Sequence, residues 1–137
     1  MRDVDSAGRT LLHYAALNDD TAQVVQLLAG GADPNAPDKQ GFTPLHMAAQ
    51  EGSLVAARAL LEGGARVDDV NAFGNTPLLV AVFNSRGRGD LIALLRSRGA
   101  DPLHVNKSKQ TPAGLAKLIG NFDVARFFRD LPDRSAP

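Results

Sequence analysis

Short apolar segments with helical spacing alternate along the chain with turn-forming residues. In the clearest segment, Leu45, Ala48 and Ala49 recur on one helix face, and the small alanines would let a neighbouring helix approach closely. Thr43 precedes them as a side-chain acceptor, and Pro44 takes the first helical position, where its missing N–H costs nothing. The pattern predicts a short helix that begins at these two residues.

A second apolar segment follows, and glycines bound both segments. Gly52 would end the first helix, and Gly63 with Gly64 suits a left-handed cap at the end of the second. Beyond them, a segment rich in turn formers runs to Gly74, which would supply a positive φ. We therefore predict a helix pair followed by an extended, hairpin-like connection. The second helix turns four side chains inward: Leu54, Ala57, Leu60 and Leu61.

This order of segments recurs along the chain. Residues 8–16 (GRTLLHYAA), 41–49 (GFTPLHMAA) and 74–82 (GNTPLLVAV) are spaced by 33 positions, and a weaker copy covers 109–128. Helices of roughly seven to ten residues are marginal alone, so each pair must stack on the next to bury its apolar face. The sequence predicts an all-α repeat solenoid in one domain. Its divisions are 5–37, 38–70, 71–105 and 106–131, with a tail at 132–137.

The third unit is two residues longer than the first two, and the surplus falls in residues 84–89, between its two helices. Arg88, Gly89 and Asp90 there form an adhesion-type tripeptide. We expect a flexible inserted turn. A loop that contacts a partner is the main alternative, because insertions in repeat proteins map to loops, and an adhesion motif is the weaker one.

The phrase at 41–49, together with GADPN at 31–35, resembles the ankyrin repeat, and the resemblance covers about residues 5–131. It implies that hairpin, inner helix and outer helix stack into a curved solenoid with a concave face. In that family the face usually binds proteins, through the hairpin tips and the exposed positions of the inner helices. No reaction is common to the family, and the fold does not fix the partner.

The terminal units depart from the repeat pattern. At several positions where the repeat pattern has proline, glycine, histidine or an apolar residue, the first and fourth units carry a different residue, which in most cases is polar. Because terminal repeats face solvent on one side, we expect these units to be polar end caps. The departures are Leu11, Gln23 and Gln26 in the first unit and Lys109, Gly114, Lys117 and Arg129 in the fourth.

Composition narrows the function classes. Fifteen basic and fifteen acidic residues cancel, whereas a nucleic-acid binder normally carries a basic excess. The chain has no cysteine for disulfides or thiol chemistry, and no apolar run approaches the ~18 residues of a membrane span. Its start lacks the apolar run of a signal peptide. We expect a cytoplasmic protein that binds neither nucleic acid nor membrane.

Candidate catalytic residues are few. His13 and His46 lie a full repeat apart, too far to share a metal, and the resemblance implies that each ring bonds nearby backbone. His104 lies in a linker with no evident companion, and we expect it at the surface. No hydrolase, P-loop or zinc-protease motif occurs, so we expect neither an enzyme nor a cofactor. Structural roles are predicted for His13, Gly41, Thr43, Pro44, His46, Gly74, Thr76 and Pro77.

Candidate partner-binding residues flank the turn glycines and end the inner helices. Phe42, Phe73 and Phe83 would anchor a partner, although each ring could instead fold down over its neighbouring repeat. Phe122, Phe127 and Phe128 are expected to close the core, and Tyr14 to lie in it. The candidates are Arg9, Lys39, Gln40, Phe42, Gln50, Glu51, Phe73, Asn75, Phe83 and Asn84.

These observations favour a monomeric, non-catalytic module, an adaptor or inhibitor that binds a protein partner through the concave face. A bacterial immunity protein that neutralises a toxin is one alternative. A structural segment of a larger scaffold, or a self-associating stack, is the other.

Overall fold

The computed structural model describes residues 4–119 and 123–131. Over these ranges the chain forms no β-strand, and Val4 and Thr10 make an isolated antiparallel bridge. The predicted all-α repeat architecture is confirmed. The described helices are α1 (Leu11–Leu17), α2 (Thr21–Ala29), α3 (Pro44–Glu51), α4 (Leu54–Glu62), α5 (Pro77–Phe83), α6 (Asp90–Ser97), α7 (Pro112–Leu118) and a 3₁₀ helix (Ala125–Phe128).

The first helix of every unit begins after a threonine in extended conformation. Its side-chain oxygen accepts a hydrogen bond from the backbone N–H three residues further on, which satisfies one of the free donors of the helix start. Proline occupies the first helical position of α3, α5 and α7. The four capping residues are Thr10, Thr43, Thr76 and Thr111.

The helices form two layers. The inner layer consists of α1, α3, α5 and α7 packed side by side, and α2, α4 and α6 pack along it as the outer layer, with the 3₁₀ helix against α7. Residues 44–49 of α3 are all buried, because neighbours lie on several sides of that helix. Leu12, Leu45, Leu60, Leu78 and Leu95 are fully buried in one continuous core.

The prediction that Tyr14 belongs to the core is wrong. Tyr14 is 36% exposed, whereas Met47 in the same register is 1% exposed. The side of α1 that corresponds to the buried side of α3 has no helix against it in the described chain. The tyrosine hydroxyl instead donates to the carboxylate of Asp5, and the Arg9 guanidinium lies 5.9 Å from the ring centroid.

The two ends of the stack differ in polarity. Lys117 and Arg129 are exposed at the last unit, as expected of a cap. At the first unit, Leu11 is 61% exposed and borders a shallow groove of about 860 Å³ between α1 and the end of α2. Gln26 is exposed and lines this groove together with Asp5 and Arg9, so the expectation of a polar cap holds only in part on this side.

The inserted segment of the third unit is packed against the last unit. Arg86 and Gly87 have φ values of 54° and 86°, and Gly87 accepts a hydrogen bond from Arg126. The ring of Phe127 leaves no room for a Cβ on Gly89. We expected a flexible turn, but residues 87–89 are held against the last unit by these contacts. The Arg-Gly-Asp tripeptide leads directly into α6.

The last unit ends in the 3₁₀ helix where the sequence pattern predicted a second α-helix. Phe128 is buried, Phe127 is half-buried and packs against the core, and both therefore help to close it. Phe122 and the tail at 132–137 lie outside the described residues.

Candidate functional site

Each hairpin is held by an acidic or amide side chain three residues before its turn. In the second hairpin, Asp38 Oδ1 accepts hydrogen bonds from the N–H groups of Gln40 and Phe42, both at 2.9 Å. The N–H of Gly41 donates to the Asp38 carbonyl at 3.0 Å, and the N–H of Asp38 donates to the carbonyl of Phe42 at 2.8 Å. The same pattern recurs at Asp5, Asn71 and Asn106.

The turn residue of each hairpin lies in the left-handed region, and successive hairpins touch. Gly41 and Gly74 have φ values of 82° and 75°. A Cβ on Gly41 would lie 2.9 Å from the Cα of Asn71 in the next hairpin, so glycine is required there for close approach as well as for φ. Lys109 replaces the glycine in the last hairpin and takes the same conformation, with φ 64°.

Backbone hydrogen bonds join each hairpin to the next. The Lys39 N–H donates to the Ala7 carbonyl at 2.9 Å, and the Lys107 N–H donates to the Phe73 carbonyl at 3.1 Å. Between them, the Ala72 N–H donates to the Gln40 carbonyl at 2.8 Å. The tips therefore form a continuous row, in which side chains from neighbouring repeats have fixed positions relative to one another.

His46 ties its helix to the next hairpin. Its Nε2 lies 2.8 Å from the carbonyl oxygen of Asn75, and its Nδ1 accepts the backbone N–H of Thr43 at 3.1 Å. Only the neutral tautomer with a proton on Nε2 can donate to that carbonyl and accept from that N–H. His13 makes the equivalent contacts with Phe42 and Thr10.

Burial lowers the pKa of both histidines below its ordinary value, although the hydrogen bonds to the carbonyls of Phe42 and Asn75 act in the opposite direction. Both ring nitrogens are used within the fold, which leaves no free lone pair for a metal or for general-base work. Among the described residues, no group of three potential metal ligands occurs.

The link between the third and fourth hairpins is different, since Leu79 and Gly114 replace the histidine in the last two units. His104, which we expected to be a surface residue without a companion, is half-buried, and its Nε2 lies 3.2 Å from the carbonyl oxygen of Gly74. The side chain of Asn106 donates to Asn75 Oδ1 at 2.8 Å. Polar side chains on the connection thus replace the missing imidazole.

Three predicted partner-binding residues are used within the stack. Arg9, Phe42 and Asn75 share one register position, immediately after the turn residue, and each contacts the next hairpin. Arg9 Nε lies 3.5 Å from the buried carboxylate of Asp38. The Phe42 ring packs on the core, 6.4 Å from that of Phe73. For Phe42 the structure therefore supports the alternative of a ring folded over its neighbour.

The other predicted residues are more accessible. Phe73 is 51% exposed and Phe83 is 70% exposed, whereas Asn84 is half-buried and donates to the Val80 carbonyl. Lys39, Gln40, Gln50 and Glu51 are exposed.

Sequence reasoning missed three exposed apolar residues. Val70 and Val105 are 47% and 58% exposed, and each immediately precedes the first residue of a hairpin. Leu118 is 70% exposed and occupies the same register on α7 as Phe83 on α5. Comparison of the units at these positions would have found all three. We call these three residues, together with Phe73 and Phe83, the recognition face. It also includes the exposed polar residues at the hairpin tips and inner-helix ends, namely Lys39, Gln40, Gln50, Glu51, Lys107 and Lys109.

Stacked helix pairs joined by hairpins define a helical repeat protein. The family model described as ankyrin repeats in three copies matches residues 12–106. Because this match spans more than half of the sequence, the chain belongs to the ankyrin repeat family. No curated protein matches the chain.

Proteins of this family are generally protein–protein interaction modules and typically lack catalytic activity. The match ends at residue 106, yet α7 retains the threonine cap and the proline of the preceding units. In the part of the chain that the structure describes, every helix is too short to cross a membrane.

Proposed function

We propose that the chain is a monomeric protein-binding module that acts as a cytoplasmic adaptor or inhibitor through the recognition face. The observation that carries this proposal is the exposure of Phe73 and Phe83, at 51% and 70%, on a hairpin and an inner helix of one repeat. Large apolar side chains exposed together mark interaction sites, and aromatic residues frequently anchor protein interfaces.

The rigidity of the hairpin row supports the same proposal. Backbone hydrogen bonds link all four tips, and His13 and His46 fasten two of them to the inner helices. A partner would therefore meet side chains whose backbone is already ordered. Less conformational entropy is lost on binding to such a surface than on binding to a flexible loop.

A second candidate, a self-associating stack, is favoured by the apolar groove at the first unit. Leu11 and Tyr14 border it, and they are 61% and 36% exposed. The groove lies on the end of the stack, whereas the recognition face follows the hairpins, so the two candidates involve different side chains and can be tested separately.

The test is the double substitution of Phe73 and Phe83 by serine. Partners are first captured from source cells with the wild-type chain, and the affinity of each is then measured. We expect the double variant to bind at least about thirtyfold more weakly, because truncated anchors typically cost about 2 kcal/mol or more at an interface. Its melting temperature should fall by only about 2–8 °C, because Phe73 loses an edge contact with Phe42 that contributes about 0.5–1.5 kcal/mol, while Phe83 is 70% exposed.

The matched control is Val55→Ser, which removes a side chain that is 54% exposed on the outer helix α4 and should leave affinity unchanged. Equal binding by wild type and double variant would contradict the proposal. Light scattering on the same samples should show a monomer, and a mass that rises with concentration would favour the self-associating stack.

A further inference from the structure

Basic side chains outnumber acidic ones around the exposed phenylalanine rings. Lys39, Lys107 and Lys109 are exposed on the second and fourth hairpins. None of them is in an ion pair with another described residue. The whole chain is neutral, so this local basic excess is a property of the face and not of the composition.

The backbone bonds between hairpins place these lysines on both sides of Phe73. Lys107 donates its N–H to the Phe73 carbonyl, and Gln40, next to Lys39, accepts from Ala72. The third hairpin therefore presents an apolar tip between two basic ones, and the spacing is fixed by the fold.

Carboxylates near the hairpins are already engaged. Asp38 is buried, accepts two backbone N–H groups and pairs with Arg9. Asp69 pairs with Arg66 at 2.9 Å. Glu51, at the end of α3, is exposed and is the exception among the residues of the recognition face, where this one carboxylate stands beside three lysines.

The exposed apolar residues of the recognition face lie at the third and fourth hairpins and at the ends of α5 and α7. Val70 and Val105 immediately precede these two hairpins, Phe73 lies at the tip of the third, and Phe83 and Leu118 end the two helices. At the equivalent register positions, the second hairpin and α3 carry Pro37, Gln40 and Gln50.

From this arrangement we infer that the partner presents a segment with apolar or aromatic side chains flanked by carboxylates. The apolar groups cover Phe73 and Phe83 of the third repeat, and the carboxylates meet Lys39, Lys107 and Lys109. This inference rests on the proposed function and names the chemistry of the partner. Charges at the rim of an interface govern the choice of partner and the rate of association more than they govern total affinity.

A random library of short displayed peptides, selected against the intact chain, tests the inference. The peptides recovered should combine Asp or Glu with Leu, Phe or other apolar residues, and should bind less tightly as salt rises, because exposed charges are screened. They should lose binding to the Phe73→Ser, Phe83→Ser variant.

Charge reversal gives the sharper comparison. The Lys39→Glu, Lys107→Glu variant should bind the recovered peptides about tenfold more weakly, in line with the loss of two exposed charge pairs and the repulsion that replaces them. A new selection on this variant should recover basic peptides. Arg58→Glu, on the outer helix α4, is the matched control and should change neither result.

The outcomes separate the two proposals. Neutral or basic peptides that bind wild type and depend on Phe73 and Phe83 would overturn the inference and leave the proposed function intact. Peptides that bind regardless of these rings, or an empty selection, would count against both. Tighter binding of a DNA duplex or of phosphatidylserine vesicles than of any acidic peptide would also overturn the inference.

Discussion

Among single residues, the two buried histidines show most clearly how a repeated side chain holds the stack. Each imidazole joins a threonine cap on its own helix to a carbonyl of the next hairpin. The cost of burying a polar ring is offset because both nitrogens are hydrogen-bonded. The histidine that is characteristic of the motif is thus a structural group, as the resemblance to the repeat family implied and as its two hydrogen bonds show.

We expect the free energy of unfolding to decrease as the pH falls through about 6.5, the ordinary pKa of histidine. Burial lowers the pKa of His13 and His46 in the folded chain, so the unfolded chain binds more protons in this range. Proton linkage then requires that the stability contributed by the two histidines is fully present above their pKa in the unfolded chain and is lost as the pH falls below it. Urea unfolding at a series of pH values measures the effect.

The His13→Gln, His46→Gln variant is the control for this titration. It should be less stable than wild type at neutral pH and should show a smaller decrease in stability between about pH 7 and pH 5.5, where the remaining carboxylates scarcely titrate. An unchanged slope would mean that the two rings do not cause the pH dependence.

At the scale of the helices, the last repeat packs against the inserted segment of the third repeat and is held in place by it. The 3₁₀ helix is short, and helices of this length have little stability of their own. Arg126 donates a hydrogen bond to the Gly87 carbonyl, and the Phe127 ring lies over Gly89. Just after the 3₁₀ helix, Asp130 forms a bidentate pair with Arg96 of α6 at 2.6 and 2.8 Å. The two extra residues therefore belong to the packing that closes the stack.

Gly89→Ala should displace the 3₁₀ helix, because the added Cβ would overlap the Phe127 ring. We expect a loss of about 1–3 kcal/mol, typical of overpacking, and faster hydrogen exchange in residues 123–131. Gly30→Ala is the matched control. Its Cβ would lie 3.5 Å from its nearest neighbour, so its stability should be equal or higher. If the two variants have equal stability, the packing described for Gly89 is incorrect.

For the whole molecule, stability is distributed along the stack. Each helix pair contacts mainly its neighbours, so the total is close to a sum of unit and interface terms. Central positions contribute to two interfaces at once, and terminal positions to one. The first unit is the clearest terminal case, since Leu11 and Tyr14 are exposed there while their counterparts Pro44 and Met47 are buried.

Leu60→Ala should destabilise the chain by about 2–5 kcal/mol, the usual range for a cavity left by a fully buried leucine. Leu60 is 0% exposed on α4, which packs between α2 and α6. Leu118→Ala removes the same atoms from a side chain that is 70% exposed and should change stability by less than about 0.5 kcal/mol. Equilibrium urea unfolding compares them, and a loss below about 1 kcal/mol at Leu60 would exclude a core role.

Much of the fold could be predicted from sequence because its signals are local and repeated. The Thr-Pro helix starts, the turn glycines and the apolar spacing of α3 and α4 are each set by neighbouring residues. The sequence also carries a signal for the anchoring role of Asp38 and Asn71, since an acidic or amide residue stands three positions before each turn.

The candidate site could be predicted only in part. Register identified which residues flank the turns, yet it could not distinguish Phe42, which packs on the core, from Phe73, which is 51% exposed. That difference depends on which side chains the neighbouring hairpin brings close. Phe42 follows its turn glycine, at the position where Arg9 and Asn75 also contact the next hairpin, whereas Phe73 precedes its turn glycine, as exposed Gln40 does. A place beside a turn therefore does not by itself decide exposure.

The sequence by itself determined the helix pairs, their order and the family, because short-range spacing and capping govern where each helix begins and ends. Only the tertiary structure decided which side chains are covered, since burial depends on residues about 30 positions away in the chain. The neutral histidines, the anchored insertion and the lysines on both sides of Phe73 arise from contacts between repeats, whereas the groove at the first unit is left open because no helix packs there in the described chain.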